Sequence, residues 1–408
     1  MSKEFLLLKN FRIVDEDTDF SGSLIIENGT IREILAGTVN YSGAGVVIDG
    51  GSLGPGVVLM PAFIDLHAHF RDPGFPEKEN LESASLAAVA GGYGTVVCMA
   101  NTDPVIDTIE KALALKSRSD ILGLIDLYPV LSLTKNMEGK TLSEIRGLAG
   151  SVVPLMLSED GKDVDDDGLF LAAMGEAKRL GIPVSCHCDL GGESNAVRRA
   201  VDLGKKAGCH IHIAHVSTGK AAQIIREAKT GLSAVLTCEA TPHHIGATEE
   251  DALRMGKDSF GRVNPPLSTE EDRRAVIAAI TDGTIDAIAT DHAPHTGTDK
   301  AAGAPGFTGL ETAFSACLTY LPDTGLRRLS SLLSANPARI LGLTDRGRIA
   351  AGLRADLVIV NTQTPWKVES EKFRSKGKCS PFSGMELRGK TLMTINAGKI
   401  VFAGDQYV

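Results

Sequence analysis

Short apolar runs alternate with longer amphipathic segments through the middle of this 408-residue chain. Eight such runs, each ending in polar residues, lie at residues 62–69, 95–101, 123–132, 151–160, 183–189, 210–217, 234–243 and 285–295. Apolar residues at helical spacing mark the segments between them, as at residues 80–90, 166–180, 195–206, 220–229 and 270–281. Strands that alternate with helices form a parallel sheet, and eight such units predict an α/β protein with a closed (β/α)8 barrel, the TIM barrel.

The segments on either side of this region have a different pattern. They contain short runs that alternate in the β manner, at residues 5–8, 23–27, 30–35, 355–361 and 391–402. Side chains of a strand point alternately to its two faces, so these runs indicate half-buried strands. We therefore predict a small β-sandwich domain built from both termini, residues 1–58 and 350–408, beside a metal-dependent catalytic barrel of residues 59–349.

Composition is that of an ordinary globular protein, with 43% hydrophobic residues and a formal net charge of −9. That charge, without a long basic run, argues against nucleic acid or an anionic membrane as a partner. The first apolar run has only four residues before charges return, which is too short for a signal peptide or a membrane span. We expect a cytoplasmic protein.

Two histidines, His67 and His69, end the first predicted strand. Their spacing places both imidazoles on one face of a strand, where they can form half of a zinc or similar metal site. Arg71 follows at the same spacing and would place a cation beside the metal. A His-x-His pair alone is more often an ordinary core or surface pair, so the prediction depends on the other strands.

Polar side chains end several of the other predicted strands. In a barrel of this kind the catalytic groups come from the C-terminal ends of the strands. Those ends carry Asn101, Asp160, His187, His215, Asp291 and His295. Together with the first pair, they bring enough imidazoles and carboxylates to one mouth to hold two divalent metals. Because an unpaired cluster of this kind would cost several kcal/mol in desolvation, the pattern predicts a metal site.

Strand alternation also predicts the orientation of some side chains. On the sixth strand, His215 would face inward together with Ile211 and Ile213. His210 and His212 would then face the surrounding helices. Seven cysteines, an odd number, sit mostly in or next to apolar segments and are expected to be free thiols. This includes the two that flank His187, which resemble a metal cluster only at first sight.

Six blocks of this sequence resemble dihydroorotases of the amidohydrolase superfamily, in a form similar to class I. The blocks are His67-Ala-His-Phe-Arg71, Ala100-Asn-Thr102, Ser158-Glu-Asp-Gly161, His187-Cys-Asp189, His215-Val-Ser-Thr218 and Thr290-Asp-His-Ala-Pro-His295. The similarity covers nearly the whole chain. It implies a (β/α)8 barrel with a β-sandwich formed by both termini, in agreement with the pattern of strands and helices.

The resemblance implies two zinc ions. His67, His69 and Asp291 would bind one ion, His187 and His215 the second, and Asp160 would bridge them. Many relatives use a carbamylated lysine as the bridge, whereas this chain has an aspartate, as one subgroup does. The segment between His187 and His215 is also shorter than in that subgroup, which changes one side of the site.

The same resemblance implies the substrate and the reaction. Substrate contacts would be made by Arg71, Asn101, Asn264, His295, Pro305 and Gly306. The reaction would be the reversible cyclisation of N-carbamoyl-L-aspartate to (S)-dihydroorotate in pyrimidine biosynthesis, with a metal-bound hydroxide as nucleophile and Asp291 as general acid and base. The planar guanidinium of Arg71 suits the substrate carboxylate. A homodimer and an association with aspartate transcarbamoylase are further expectations from this resemblance.

Two other functions remain open on the sequence alone. A hydantoinase or allantoinase would use the same scaffold and metal ligands, although Arg71, Asn101 and His295 favour a ring that carries a carboxylate. A non-catalytic homologue could instead act as a scaffold for aspartate transcarbamoylase. Finally, residues 296–308 have no strong pattern and several glycines and prolines, which predicts a mobile lid over the mouth of the barrel.

Overall fold

The computed structural model describes residues 5–37, 45–148, 153–232 and 235–404. Ser151, Val152 and Ala234, which begin two of the predicted strands, lie outside these ranges, as do residues 1–4, 38–44 and 405–408 of the predicted terminal domain. In chain order the strands are β1 (Phe5–Val14), β2 (Asp19–Glu27), β3 (Thr30–Ala36), β4 (Val46–Asp49), β5 (Val57–Pro61), β6 (Phe63–Ala68), β7 (Tyr93–Cys98), β8 (Asp126–Pro129), β9 (Leu157–Ser158), β10 (Val184–Cys186), β11 (Ile211–Ile213), β12 (Leu236–Ala240), β13 (Ala287–Ile288), β14 (Leu357–Lys367), β15 (Glu386–Asn396) and β16 (Lys399–Ala403).

The helices lie mainly between the strands of the barrel. They are α1 (Leu81–Gly91), α2 (Ile109–Leu122), α3 (Asp167–Leu180), α4 (Glu193–Ala207), α5 (Gly219–Leu232), α6 (Pro242–Gly246), α7 (Glu249–Met255), α8 (Glu270–Thr281), α9 (Gly297–Ala301), α10 (Ala313–Tyr320), α11 (Gly325–Ser330) and α12 (Asn336–Ile340). The five helices predicted above are α1, α3, α4, α5 and α8. In the described residues between β8 and β9 there is no α-helix, only the 3-10 turns Lys135–Met137 and Glu144–Leu148.

Local chemistry explains where these helices begin and end. The Asn80 side chain accepts a hydrogen bond from the Ser83 N–H at 2.8 Å and so caps α1, while Asp166 caps α3 through the Leu169 N–H at 2.7 Å. Such caps satisfy amide groups that the first turn of a helix leaves unpaired. Helix α3 ends at Gly181, whose φ of 71° is the left-handed conformation that glycine adopts without strain.

Eight parallel strands, β6 to β13, share one apolar cluster with the helices that pack on them. Strands β6 to β8 form one sheet and β9 to β13 another. Isolated parallel bridges join the two sheets on both sides, between Leu131 and Leu157 and between Ala68 and His292. At the second junction the His69 N–H donates to the His292 carbonyl at 2.8 Å. The order of the strands therefore runs once around a ring, as the predicted (β/α)8 barrel requires.

The barrel strands are shorter than predicted. The last predicted strand, residues 285–295, contains only β13, and the fourth, residues 151–160, contains only β9 among its described residues. Except for His67, which lies in β6, the polar residues expected at the strand ends lie in the loops that follow. Three of them, Arg71, His215 and Asp291, have positive φ angles of 57°, 33° and 45°, a conformation outside the β region.

The terminal segments form one sheet in the order β16-β15-β14-β5-β1-β2-β3, with β4 also paired to β1. Strand β5 leads directly into the barrel and pairs antiparallel with β14, so that Met60 lies opposite Val358. The sheet buries its own apolar cluster, which includes Leu8, Leu59 and Leu357. The two described terminal segments thus meet in one sheet, and this sheet extends to Pro61, past the predicted boundary at residue 58.

All seven cysteines are free, and six of them are buried. Burial raises the pKa of the Cys186 and Cys188 thiols well above the ordinary value. The two residues that flank His187 are therefore core thiols, as predicted. None of the helices in the described ranges has both the length and the apolar composition that crossing a membrane requires.

Candidate metal centre and active site

The six predicted metal ligands meet at the C-terminal mouth of the barrel. His67 lies near the end of β6, and the other five follow a strand by one to three residues: His69 after β6, Asp160 after β9, His187 after β10, His215 after β11 and Asp291 after β13. All six are buried, with at most 6% of any of them exposed. The barrel therefore assembles the cluster from residues that are far apart in the sequence.

The donor atoms of this cluster have the spacing of metal ligands. Two groups have donor atoms within 4.8 Å of one another, His67 with His69 and Asp291, and His67 with Asp160 and His215. The Nε2 of His69 lies 3.2 Å from Asp291 Oδ1, and the Nε2 of His67 lies 3.0 Å from Asp160 Oδ1 and 3.6 Å from Asp291 Oδ1. Ligands held at about 2.0–2.2 Å around a tetrahedral ion lie about 3.3–3.6 Å apart, close to these separations.

Several nitrogen atoms in the described part of the cluster make no hydrogen bond. Among the described residues, His67 Nε2, His187 Nδ1 and His215 Nδ1 are buried without a hydrogen bond. A buried polar atom without a partner is costly, and a bound cation would satisfy such atoms. Imidazole and carboxylate ligands are suited to zinc among other divalent metals. The residues present therefore fit a metal centre, with His187 at its edge, its ring centroid 4.7 Å from that of His215.

The electrostatics of the cluster favour a cation. Burial by itself raises the pKa of Asp160, but His67, His69 and His187 hold that pKa well below the ordinary value. Burial by itself lowers the pKa of His67, but Asp160, Glu239 and Asp291 raise it above the ordinary value. Negative charge is therefore concentrated around the imidazole nitrogens, where a metal ion would take the place of a proton.

A cavity of about 200 Å³ opens beside these ligands. All the predicted substrate contacts line it, namely Arg71, Asn101, Asn264, His295, Pro305 and Gly306. Gly161 and Ala293, which were not predicted, also form part of its wall. Because pockets for drug-sized ligands occupy about 300–1,000 Å³, this cavity suits a smaller molecule.

Arg71 is held loosely on the wall of the cavity. Its Nε donates to the Pro294 carbonyl at 3.3 Å, and its Nη2 lies 3.1 Å from His295 Nε2. The same His295 nitrogen lies 3.0 Å from the Pro305 carbonyl. Burial and the neighbouring Arg71 lower the pKa of His295 to about 3, so the ring is neutral at pH 7. A neutral ring nitrogen either donates or accepts, and His295 can therefore satisfy only one of these two neighbours at a time.

Asn101 contacts the metal ligands as well as the cavity. Its Oδ1 lies 2.9 Å from His69 Nδ1, and its Nδ2 lies 3.4 Å from Asp160 Oδ2. An amide oxygen only accepts, so His69 carries a hydrogen on Nδ1 and directs the lone pair of Nε2 toward Asp291. The sequence predicted Asn101 only as a substrate contact.

Sequence reasoning missed Glu239, which lies in β12 and has 0% exposure. Its Oε1 lies 3.1 Å from His67 Nδ1, and its Oε2 lies 2.9 Å from His212 Nε2. Burial by itself raises the pKa of Glu239, but the two histidines lower it to about 2, so the side chain is ionised. A glutamate in the middle of an otherwise buried run was the available signal, since such a residue is almost never buried without partners.

The predicted orientation of the sixth strand was wrong. His212 faces the barrel interior, where its Nδ1 lies 2.9 Å from Thr237 Oγ1, and His210 Nε2 lies 2.9 Å from the same oxygen. Ile211 instead packs against Gly204 of α4. The contact is so close that a Cβ added at Gly204 would lie 2.9 Å from the Ile211 side chain. His215 still reaches the site because the strand ends at Ile213 and the φ of 33° at His215 breaks the alternation.

Neighbouring residues hold Asp291 on both sides. The Thr290 N–H and hydroxyl donate to the Asp65 carboxylate at 2.9 and 2.5 Å. On the other side, His292 Nδ1 accepts from the Gly309 N–H at 3.2 Å. The first contact joins residues 225 positions apart and the second joins residues 17 positions apart, and together they fix the backbone from which the Asp291 side chain enters the cavity.

The segment predicted as a lid is held by a buried lysine. Thr296 caps the short helix α9, and Lys300 in that helix has 0% exposure. Its Nζ donates to the carbonyls of Arg262, Ala304 and Gly306 at 2.7, 2.9 and 2.9 Å. A single charged side chain therefore ties Ala304 and Gly306 of the predicted lid to Arg262, which lies outside it. Whether the segment opens stays a prediction.

Comparison with known proteins agrees with this site. The model of the amidohydrolase family matches residues 58–401. Dihydroorotases from Clostridium botulinum and a Thermoanaerobacter species are 42% and 36% identical to this chain, and the alignments cover 97% and 98% of this chain and 99% and 98% of theirs.

Solved structures show the same fold. The L-hydantoinase of Arthrobacter aurescens has a TM-score of 0.87 and 25% identity, covering 99% of this chain and 97% of its own. The dihydropyrimidinase of Brevibacillus agri has a TM-score of 0.84 and 19% identity, covering 100% of this chain and 96% of its own. With its buried imidazole and carboxylate cluster and its similarity over nearly the full length, the chain belongs to the amidohydrolase family and, within it, to the dihydroorotases.

Proposed function

We propose that this chain catalyses the reversible cyclisation of N-carbamoyl-L-aspartate to (S)-dihydroorotate. The observation that carries this proposal is that Arg71 lines the same small cavity as Asp291 and the imidazole ligands. A ring amide would be hydrolysed or formed beside the ligands, and the guanidinium would bind a carboxylate on that ring with two parallel hydrogen bonds. The identity to proteins named dihydroorotase supports the same substrate.

We propose two zinc ions for the metal centre. His67, His69 and Asp291 would hold one, His187 and His215 the other, and Asp160 would lie between them. The bridge is supported by the position of Asp160, whose Oδ1 lies 3.0 Å from His67 Nε2 and which also belongs to the three-ligand group that contains His215. When bound, zinc lowers the pKa of a coordinated water to about 7 and polarises a carbonyl oxygen.

Asp291 would move the proton. Its carboxylate lines the cavity, where it can accept a proton from the attacking water and deliver it to the leaving amide nitrogen. In the direction of ring closure the same steps run in reverse. Asn264, Pro305 and Gly306 would position the ring, and His295, once Arg71 turns to the substrate, would be free to donate to Pro305.

Purified protein of known metal content tests this function. We expect N-carbamoyl-L-aspartate and dihydroorotate to be interconverted faster than hydantoin or allantoin is hydrolysed. Asp291→Ala should lose nearly all activity while its circular dichroism spectrum stays unchanged. Faster turnover of hydantoin or allantoin would instead favour the hydantoinase alternative, which the structural similarity to hydantoinases keeps in view. Wild-type protein that turns over none of these rings would favour the scaffold alternative.

Several finer points are also our proposals. The chain would act as a cytoplasmic homodimer that associates with aspartate transcarbamoylase, and size measurements with and without that enzyme test both contacts. We also propose that residues 59–349 and the joined ends, 1–58 and 350–408, are the two domains. The sheet that joins both ends supports this division, with β5 added to the terminal domain.

A further inference from the structure

A row of polar side chains crosses the barrel interior below the metal ligands. It begins at His210, which precedes β11, and passes through Thr237 and His212 to Glu239. Successive atoms are 2.9, 2.9 and 2.9 Å apart, and Glu239 Oε1 then lies 3.1 Å from His67 Nδ1. His212, Glu239 and His67 are at most 1% exposed. Of all these residues, the mechanism proposed above uses only His67.

Donor and acceptor chemistry determines where the hydrogens lie in this row. A carboxylate only accepts, so both His67 Nδ1 and His212 Nε2 must carry a hydrogen to bond to Glu239. The Thr237 hydroxyl has one hydrogen, which it can donate to His212 Nδ1 while accepting from His210 Nε2. Each hydrogen bond of the row then has one donor and one acceptor. A doubly protonated His212 would still donate from Nε2. The position of the hydrogen on His67 therefore does not depend on the charge of His212.

The hydrogen on Nδ1 of His67 determines the state of its other ring nitrogen, Nε2. With its hydrogen on Nδ1, a neutral imidazole has its lone pair on Nε2, and this is the atom that faces the carboxylates of Asp160 and Asp291. A carboxylate that accepts from a ligating histidine orients the ring and makes it a stronger ligand. His69 has only the neutral oxygen of Asn101 in the equivalent place. The two histidines of the His-x-His pair are therefore supported differently.

We propose that Glu239, held by the row from His212 to His210, is a positioning residue that fixes the Nδ1–H tautomer of His67 and so presents its Nε2 lone pair to a metal ion. This inference rests on the proposed role of His67 as a metal ligand. Glu239 does not line the cavity, and we assign it no part in proton transfer to the substrate.

Glu239→Gln is the sharpest test, because it keeps the shape of the side chain and removes one of its two acceptors. If the amide NH2 faces His67, the ring must accept at Nδ1 and carry its hydrogen on Nε2, where it blocks the metal. We expect zinc affinity, measured by competition with a chromophoric chelator, to fall about 10–100-fold. The absorption spectrum of the cobalt-substituted protein should change as well. Thr237→Val interrupts the row farther from the metal and should lose less affinity.

Two further measurements separate the outcomes. Glu311→Gln is the matched control, because the Glu311 carboxylate accepts from backbone N–H groups and does not bond to a proposed metal ligand. This variant should leave zinc affinity unchanged. If wild-type protein binds no metal, the proposed metal centre fails. If wild type and Glu239→Gln bind zinc equally, only the present inference fails. Should the variant not fold, ¹⁵N NMR of zinc-loaded wild type decides, since a hydrogen on Nε2 of His67 would overturn the proposal.

Discussion

Replacing Lys300 by Met tests how the loop over the active site is held. Lys300 is fully buried in helix α9 and donates to the carbonyls of Arg262, Ala304 and Gly306. Its Nζ also lies 5.3 Å from the centre of the Phe307 ring. Methionine has a similar length and no hydrogen to donate, so the substitution leaves three buried carbonyls without their donor.

The magnitude follows from these contacts. Hydrogen bonds from a charged donor contribute about 1.5–3 kcal/mol each, and burial of the ammonium offsets several kcal/mol of their sum. Leaving a buried acceptor without its donor costs about 1–3 kcal/mol for each group. We take the substitution to lower the free energy of local opening of residues 296–307 by about 3 kcal/mol. Because each 1.4 kcal/mol is a factor of ten, hydrogen exchange in this segment should become roughly 100-fold faster.

Hydrogen-exchange mass spectrometry of that segment measures the opening, and steady-state kinetics measures its effect on the site. The KM for N-carbamoyl-L-aspartate should rise because Pro305 and Gly306 line the cavity. Lys257→Met, at an exposed position, serves as the control and should change neither quantity. Unchanged exchange and unchanged KM in Lys300→Met would refute the argument that this lysine holds the loop.

Three other predictions concern the substrate, the metal and pH. Arg71→Lys should raise KM about 10–100-fold by losing one of two hydrogen bonds to the substrate carboxylate, and an unchanged KM would contradict that role. Removing metal with a chelator should lower the unfolding midpoint and added zinc should restore it, because a ligand at about 100 times its Kd stabilises the native state by about 2.7 kcal/mol; a constant midpoint would count against the metal centre. Burial raises the pKa of Glu311 from 4.5 to about 7. Its contribution to stability is present in full below pH 4.5 and is lost as the pH rises through about 7, so the midpoint of wild type should fall over that range more than that of Glu311→Gln.

Much of the site could be predicted because it depends on two local rules. Apolar periods mark strands and helices, and helix α8 was predicted to the residue at 270–281. Catalytic groups of a (β/α)8 barrel lie at the C-terminal ends of its strands. Applying both rules led from His67 to Asp291 without any knowledge of distances. The rules also located Arg71, although its side chain reaches the cavity through a left-handed turn and not along a strand.

The error on the sixth strand has a physical cause. Alternation of side chains holds only while the backbone stays in the β conformation, and β11 has just three residues. His210 and His212 were therefore assigned to the wrong face, and Glu239 was overlooked although it bonds to both His67 and His212. Lys300 was missed for a different reason, because a lysine in a glycine-rich loop has no local sign that its charge will be buried.

The amino-acid sequence by itself determined the order of strands and helices, the barrel they close and the identity of the groups at its mouth. These properties follow from the period of apolar residues and from residue types at strand ends, which are local. Only the tertiary structure decided which nitrogen of His67 faces Asp160 and Asp291, and what holds Asp291 and the loop of Lys300. Those contacts join residues up to 225 positions apart, such as Asp65 and Thr290, and closure of the barrel alone brings them within hydrogen-bonding distance.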